Sequence, residues 1–194
     1  MAHSLEQTVA LLARTPDVLN ALLRGLPAAW TLRNEGDGTW TAFDVVAHLI
    51  HAEHDDWIPR TQCILDHGED QPFPPFDREG NFAASRQKSL DDLLDDFAVS
   101  RAESLQQLSA LNLLPQNFEK KGRHPVLGAV TLSELLATWV AHDLTHLHQI
   151  SRILAFQYRD SVGPFRKFLG VMHCAGHGAY SGASSTSVLS PAEV

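Results

Sequence analysis

Apolar residues recur at intervals of three and four along most of this chain, the spacing that places them on one face of an α-helix. Four long segments carry this pattern, whereas the alternation typical of strands is almost absent. The segments span residues 4–26, 41–66, 90–111 and 131–158. We therefore predict an all-α fold. Four helices of roughly 20 residues, joined by one short and two longer connections, are typical of a four-helix bundle.

Short polar motifs mark the expected starts of three helices. Thr41 is followed by Asp44, and Thr131 by Glu134, at the spacing of a capping box. Ser89 precedes the third segment as a further N-cap, with two aspartates in the first turn. We expect the second, third and fourth helices to begin directly after these residues.

Two prolines predict interruptions. In Thr15-Pro16-Asp17, Thr15 as N-cap and Pro16 at the first helical position predict a kink or restart of the first helix. Pro59 predicts a kink in the second helix, because proline cannot donate to the carbonyl one turn earlier. Residues 121–130 contain two glycines and a proline, which predict a loop or a short hairpin.

The composition is that of one globular domain followed by a tail. The 194 residues are 44% hydrophobic, enough for a single core. We expect the bundle to cover residues 1–170. Residues 171–194 are rich in Gly, Ser and Ala and are predicted to form a flexible C-terminal extension.

Charge and cysteine content narrow the class of protein. The formal net charge of −8 and the dispersed basic residues argue against a nucleic-acid surface or an anionic membrane as partner. Cys63 and Cys174 form no CxxC pair, which favours a reducing compartment. The sequence shows neither a signal peptide nor a long apolar run. We therefore expect a soluble, cytoplasmic protein.

Two histidines in the fourth segment have the spacing of metal ligands. His142 and His146 lie one helical turn apart, at the margin of a broad apolar arc, so both imidazoles face the same side. Such a pair is half of a divalent metal site, and a third ligand has to come from another helix. His173 and His177 share the spacing, but the glycines around them make a continuous helix doubtful, and that pair is interpreted as incidental.

The second segment offers three candidates for the missing ligand: His48, His51 and His54. The apolar periodicity of that helix does not choose among them. In the fourth helix, Asp143 projects into the middle of the apolar arc, where an unpaired carboxylate is costly to bury. We therefore expect Asp143 to have a specific partner, such as Arg60.

The order of several short motifs resembles a known family. These are Trp40-Thr41, Val45-Val46-Ala47-His48-Leu49-Ile50, Glu53, Asp56-Trp57, Arg60, Gly128, Thr131-Leu132 and the run from Trp139 to Ile150. Together they resemble the DinB/YfiT-like superfamily over nearly the whole chain up to about residue 169. The resemblance implies a four-helix bundle, often a homodimer. It also implies a divalent metal ion, held here by His48, His142 and His146.

The resemblance further implies metal-dependent chemistry on a small-molecule substrate. It leaves two reactions open: hydrolysis by an activated water, and transfer of a low-molecular-weight thiol to an electrophile. Zinc and nickel are the expected ions, although three histidines also accept iron or copper. Glu53 and Asp143 are the candidate catalytic carboxylates, and each also has a structural interpretation, Asp143 as a residue that orients a ligand.

Three hypotheses of different class remain at this point. The first is a metal-dependent hydrolase or thiol S-transferase. The second is a non-catalytic bundle that binds a metal or small ligand, with a role in stress. The third is a plain helical bundle without metal. The role of His51, one of the two additional histidines in the second helix, is open: it is a fourth ligand, a proton shuttle or a residue without a role at the site.

Overall fold

The computed structural model describes residues 4–174, so the predicted tail from residue 175 onward and His177 lie outside the described residues. The helices are α1 (Leu5–Leu12), α2 (Thr15–Leu23), α3 (Ala28–Thr31), α4 (Ala42–Ala52), α5 (Ile58–His67), α6 (Phe82–Ser85), α7 (Leu90–Ala110) and α8 (Leu132–Phe156). A π-helical turn, Glu53–Trp57, joins α4 to α5. Short 3-10 turns span Pro115–Glu119, Gly163–Phe168 and Gly170–Met172.

The predicted all-α bundle is confirmed. The first long helix of the bundle is formed by α1 and α2, the second by α4 and α5, the third by α7 and the fourth by α8. Helix α4 packs against both α7 and α8, while α1 contacts α8 and α2 contacts α7. Among the described helices, none has the length and apolar character needed to cross a membrane.

All three predicted helix starts are confirmed. The hydroxyl of Thr41 accepts a hydrogen bond from the amide of Asp44, whose carboxylate accepts from the amide of Thr41 in return. Thr131 and Glu134 form the same reciprocal pair at the start of α8. Ser89 caps α7 in the same way. Each box satisfies backbone N–H groups that the first turn of a helix leaves without partners.

The restart at residue 15 is confirmed, but the predicted role of Thr15 is wrong. Helix α2 begins at Thr15, Arg14 occupies the N-cap position, and no side chain caps the helix. The hydroxyl of Thr15 instead donates to Oδ2 of Asp143 at 2.6 Å. Because Thr15 is already the first helical residue, its hydroxyl is not placed to cap the helix and donates instead to the buried carboxylate, a charged acceptor that makes this a strong bond.

The second helix departs from α-geometry just before Pro59. The π-helical turn Glu53–Trp57 ends one residue before α5 begins at Ile58. In an α-helix the ring of Pro59 would clash with the carbonyl of Asp55 and leave it without a donor. The wider π turn accommodates the proline, so the predicted kink takes the form of a change in helix type.

A two-stranded hairpin occupies the predicted loop or hairpin before α8. Strands β1 (Lys121–His124) and β2 (Gly128–Thr131) pair antiparallel. The hairpin packs against α5 at Gly122, where an added Cβ would lie 2.6 Å from Cγ1 of Ile64 and 2.7 Å from Cε1 of Phe73. Only glycine allows this close approach of backbone to side chains.

The core has two apolar clusters, one toward each end of the bundle. One includes Leu19, Leu23, Val46, Phe97 and Ile153. The other includes Leu12, Ile64, Phe73, Leu108 and Leu136. Along α7 the residues of the two clusters are separated by buried Ser100, Arg101 and Ser104. Along α8 the buried residues between them are Asp143, His146 and Gln149, all three polar, on the stretch that carries the predicted histidine pair.

Candidate metal centre

Three imidazoles converge between the second and fourth helices of the bundle. His48 lies on α4, and His142 and His146 lie one turn apart on α8. Nε2 of His142 is 3.1 Å from Nε2 of His48 and 3.1 Å from Nε2 of His146. One nitrogen from each ring lies within 4.8 Å of the other two, and within residues 4–174 no other histidines, cysteines or carboxylates form such a group.

Two of these rings are oriented by hydrogen bonds on their opposite nitrogen. Nδ1 of His48 donates to the carbonyl of Arg78 at 2.9 Å, and Nδ1 of His146 donates to Oε1 of Gln149 at 2.8 Å. Because a carbonyl can only accept, the proton of each neutral ring lies on Nδ1. The Nε2 atoms therefore present lone pairs to the centre of the cluster.

This donor set fits a divalent cation. Without one, His142 can satisfy at most one of its two neighbours by donating from Nε2, and the remaining contact brings two lone pairs together. Nδ1 of His142 is buried and has no hydrogen-bond partner among the described residues. Tetrahedral zinc with bonds of about 2.0–2.1 Å separates its ligand atoms by about 3.3 Å, close to the spacing found here.

Burial favours the neutral form of His48 and His142. His48 and His146 are 1% and 2% exposed, whereas His142 is half-buried. Burial lowers the pKa of His48 to about 4, against its hydrogen bond to Arg78 and with the charges of Arg78 and His51. Burial and then the two neighbouring imidazoles hold the pKa of His142 well below its usual value. Neutral imidazole is the form that binds metals, so the site is prepared for a cation over a wide pH range.

Aromatic rings form the walls of the site. The ring centroid of Trp40 lies 4.9 Å from that of His48 and 6.2 Å from that of His146, nearly parallel to the latter. The rings of Trp57 and His142 pack edge to face, with their centroids 5.1 Å apart. Of the three histidines, His142 is the one that is only partly buried.

The other two histidines of the second helix point elsewhere. Nδ1 of His51 is 2.7 Å from Oδ2 of Asp55, and its ring stacks on Phe76 at 5.0 Å. Nε2 of His54 is 3.2 Å from the hydroxyl of Ser100 on α7. Both residues lie on the same helix as His48, but their rings contact other side chains and do not point toward α8.

Glu53 and Asp143 meet at an arginine inside the bundle. Arg101 on α7 donates from Nη2 to Oε1 of Glu53 at 2.7 Å, and from Nη1 to Oδ2 of Asp143 at 2.7 Å. Nη1 also donates to the carbonyl of Leu12, and Trp139 donates from Nε1 to Oε1 of Glu53. We call Glu53, Arg101 and Asp143 the polar layer. All three are at most 4% exposed.

The expected partner for Asp143 exists, but it is Arg101 and not Arg60. Nε of Arg60 lies 2.6 Å from Oδ1 of Asp56 on its own helical segment. Arg101 carries a signal that sequence reasoning missed. It lies four residues after Phe97 and seven before Leu108, within the apolar face of α7, where a lone arginine requires a buried acid.

Gln149 and Arg78 are the other residues at the site that the sequence did not single out. Gln149 follows His146 by three residues, so helical spacing alone places its amide beside that ring. Arg78 contributes a backbone carbonyl from the connection between α5 and α6. No residue-type pattern marks a backbone acceptor.

The fold and the cluster together define a helical-bundle protein with a candidate three-histidine metal centre. The chain belongs to the DinB superfamily, whose family model matches residues 11–150. The family resemblance read from the sequence is thereby confirmed. No curated protein matches the chain.

Two solved structures have a similar fold. YfiT from Bacillus subtilis is 21% identical, covers 80% of this chain and 86% of its own, and superposes with a TM-score of 0.65. It is described as a probable metal-dependent hydrolase with an unusual four-helix bundle topology. TT2238, a four-helix bundle protein, is also 21% identical, with a TM-score of 0.54, covering 76% of this chain and 98% of its own.

Proposed function

We propose that this protein is a divalent-metal-dependent enzyme whose ion is held by His48, His142 and His146. The observation that carries the proposal is the convergence of three Nε2 atoms, two of them on rings whose protons are held on Nδ1. Zinc or nickel are the ions we propose, because both accept three imidazoles and leave a position for a further ligand.

The proposed reaction is hydrolysis or thiol transfer on a small-molecule substrate. A bound divalent ion would lower the pKa of a coordinated water or thiol toward neutrality. The chain itself orients the rings of His48 and His146 by hydrogen bonds and places Trp40 and Trp57 against the cluster. The description of YfiT as a probable hydrolase supports the hydrolytic alternative. Thiol transfer rests on the family resemblance.

For Glu53 and Asp143 we propose a positioning role in that chemistry. Asp143 lies between the two ligands of α8 and binds Arg101 and Thr15, so it anchors α8 to α7 and α2. Glu53 follows α4 and binds the same arginine. The two carboxylates thus hold the helices that carry the ligands, which is how groups outside the coordination shell tune a metal site.

A non-catalytic binding bundle is the second candidate. It is supported by the origin of the ligands, because an ion shared by α4 and α8 would cross-link two helices that already pack together. In that case the ion adds stability without turnover.

Metal analysis of the purified protein tests the centre. We expect one equivalent of divalent metal in the wild type and loss of it in His48→Ala and His142→Ala. His67→Ala, which removes an exposed histidine at the end of α5, is the matched control and keeps the metal. His51→Ala decides whether a fourth imidazole contributes. Fresh protein that holds no metal and does not take up zinc or nickel would contradict the proposal.

Substrate screening separates the two candidates. The metal-loaded protein is assayed with activated esters and amides, and in parallel with a low-molecular-weight thiol and an electrophile. Turnover that disappears in His142→Ala supports the enzyme. Metal binding that raises the melting temperature without turnover in either screen supports the binding bundle.

We also propose a homodimer, which the family resemblance implies. Leu11, Val18 and Leu144 are 47%, 44% and 53% exposed and line one apolar groove between the first helix and α8, a surface suited to a second copy. Light scattering on the purified protein measures the mass directly. The cytoplasmic location stays a prediction.

A further inference from the structure

Arg78 stands at the edge of the histidine cluster. Its carbonyl accepts the hydrogen bond from Nδ1 of His48 at 2.9 Å, which ties its backbone to the site. Its guanidinium carbon lies 5.5 Å from the ring centroid of Trp40, the residue that packs on His48 and His146. The position of this cation relative to the cluster is thus set by two independent contacts.

The segment that carries Arg78 is held in place. The amide of Gly80 donates to the carbonyl of Asp77 at 3.3 Å, closing a turn around Arg78. Gly80 also lies against His51, where an added Cβ would be 2.7 Å from Nε2. The turn therefore rests directly on the helix that carries His48.

The charge of Arg78 has no acidic partner in the described part of the chain. Within residues 4–174 no carboxylate forms an ion pair with it. The acids on either side make other contacts. Asp77 accepts from the amide of Glu79 at 3.1 Å, and Glu79 accepts from Nε1 of Trp40 at 3.2 Å. Arg101, by comparison, is neutralised by two carboxylates.

The positive charge of Arg78 also acts on the histidine cluster. Beyond the larger effect of burial, Arg78 contributes to the lowered pKa of both His48 and His142. An exposed arginine with a planar fork of donors, adjacent to a metal site and without an acid, is suited to two oxygens of an anion. In a chain of formal charge −8, such a local cation also attracts anions that the rest of the surface repels.

We infer that Arg78 binds an oxyanion, a carboxylate or phosphate group, of a substrate whose reacting end lies at His48, His142 and His146. This inference rests on the proposed function and names the substrate class. Arg78 is then a specificity-determining residue, because it selects anionic over neutral molecules of the same shape.

Matched hydroxamates test the inference on zinc-loaded protein. Succinic monohydroxamate and butyrohydroxamate have the same chelating end and length, and differ by a terminal carboxylate or methyl group. Isothermal titration measures both dissociation constants. We expect the carboxylated probe to bind about tenfold more tightly in the wild type, a magnitude typical of a charge-assisted contact at a partly exposed site.

Substitutions assign that preference to one residue. Arg78→Gln should reduce the affinity ratio to about one, because the fork is lost while the chelating end still binds. Arg86→Gln removes an equal charge from an exposed position after α6 and should leave the ratio unchanged. A phosphonate probe of the same length distinguishes a phosphate-selective site from a carboxylate-selective one. Equal binding of the two hydroxamates in the wild type, or an unchanged ratio in Arg78→Gln, overturns the inference.

A metal-free arm keeps the two proposals separable. Ligand-observed NMR of glutarate with metal-free protein reports the arginine contact alone, and its signal should disappear in Arg78→Gln but persist in Arg86→Gln. If zinc fails to bind while glutarate binding depends on Arg78, the proposed function fails and the anion site stands. Glutarate binding that is absent or independent of Arg78 overturns the anion site even when zinc binds.

Discussion

Oε1 of Gln149 lies 2.8 Å from Nδ1 of His146, on the side of the ring opposite the cluster. Both residues are buried, so water does not replace this contact if it is lost. The amide oxygen fixes which nitrogen carries the proton and thereby directs the lone pair of Nε2 inward.

Replacing Gln149 with leucine should weaken metal binding. Loss of the acceptor frees the ring of His146 to rotate and to exchange its proton, which typically lowers metal affinity by about 10–100-fold. Competition for zinc with a chromophoric chelator measures the change. Gln149→Glu retains an acceptor at the same place and should bind zinc more tightly than the leucine variant. Equal affinities in all three proteins would show that this contact does not support the site.

The free energy of unfolding of the metal-free protein should fall as the pH falls from about 6.5 toward 4. The pKa of His48 is about 4 in the folded chain because the ring is buried, against an ordinary value of 6.5. Between these values the unfolded chain binds more protons than the folded one, so acid favours unfolding. Urea titrations after removal of metal measure the slope. His48→Gln, which cannot titrate there, should flatten it.

The titration of Asp56 should change the free energy of unfolding with pH in the opposite direction, so a variant at this position serves as the control. Burial raises its pKa from 3.8 to about 6, despite the attraction of Arg60. Between about pH 4 and 6 the folded chain therefore holds a proton that the unfolded chain releases, and this group loses stabilising effect as the pH rises. Asp56→Asn should steepen the pH dependence that His48→Gln flattens. A change in the same direction in both variants would contradict this assignment of charges.

Truncating the arginine of the polar layer should strongly destabilise the bundle. Arg101→Met leaves Glu53 and Asp143 buried without their shared cation, and breaking a buried ion pair in this way costs about 3–5 kcal/mol. Chemical denaturation gives the value. The triple variant with Glu53→Gln and Asp143→Asn removes the stranded charges and should recover most of the loss. If the single variant were as stable as the wild type, the polar layer would not contribute to the stability of the bundle.

Alanine at Gly122 should separate the hairpin from α5. Its Cβ would meet Ile64 and Phe73 at distances that no relaxed contact allows, and overpacking of this kind costs about 1–3 kcal/mol. Gly170→Ala is the matched control, because a Cβ added at Gly170 would have no described atom within 4 Å. Unfolding midpoints compare the two. The prediction is contradicted if both glycines tolerate alanine equally.

The parts of the structure that local sequence predicts are those whose interactions are local. The capping boxes complete their hydrogen bonds within three residues, as in Thr41 with Asp44 and Thr131 with Glu134. The sequence alone therefore predicts where these helices begin. The spacing of His142 and His146 is equally local. Two members of the candidate site were therefore accessible from one helix alone.

The third ligand and the polar layer depend on contacts between distant segments. The apolar periodicity of the second helix did not distinguish His48 from His51 and His54, and the family resemblance was needed to choose. The pairing of Arg101 with Asp143 joins residues 42 positions apart, and it exists only once α7 and α8 have packed. The π turn likewise changes the face that each later residue presents, which a constant helical period cannot anticipate.

The polar layer also has a consequence for axial alignment. Leucines in a helix interface can find new neighbours after a slip of one turn, about 5.4 Å along the axis. Arg101 cannot, because such a slip would carry it away from Glu53, Asp143 and the carbonyl of Leu12 together. The three charges thus fix the axial positions of α7, α8 and the π turn after α4 relative to one another. The height at which His48 faces His142 is therefore set in the interior of the bundle, by side chains other than the ligands themselves.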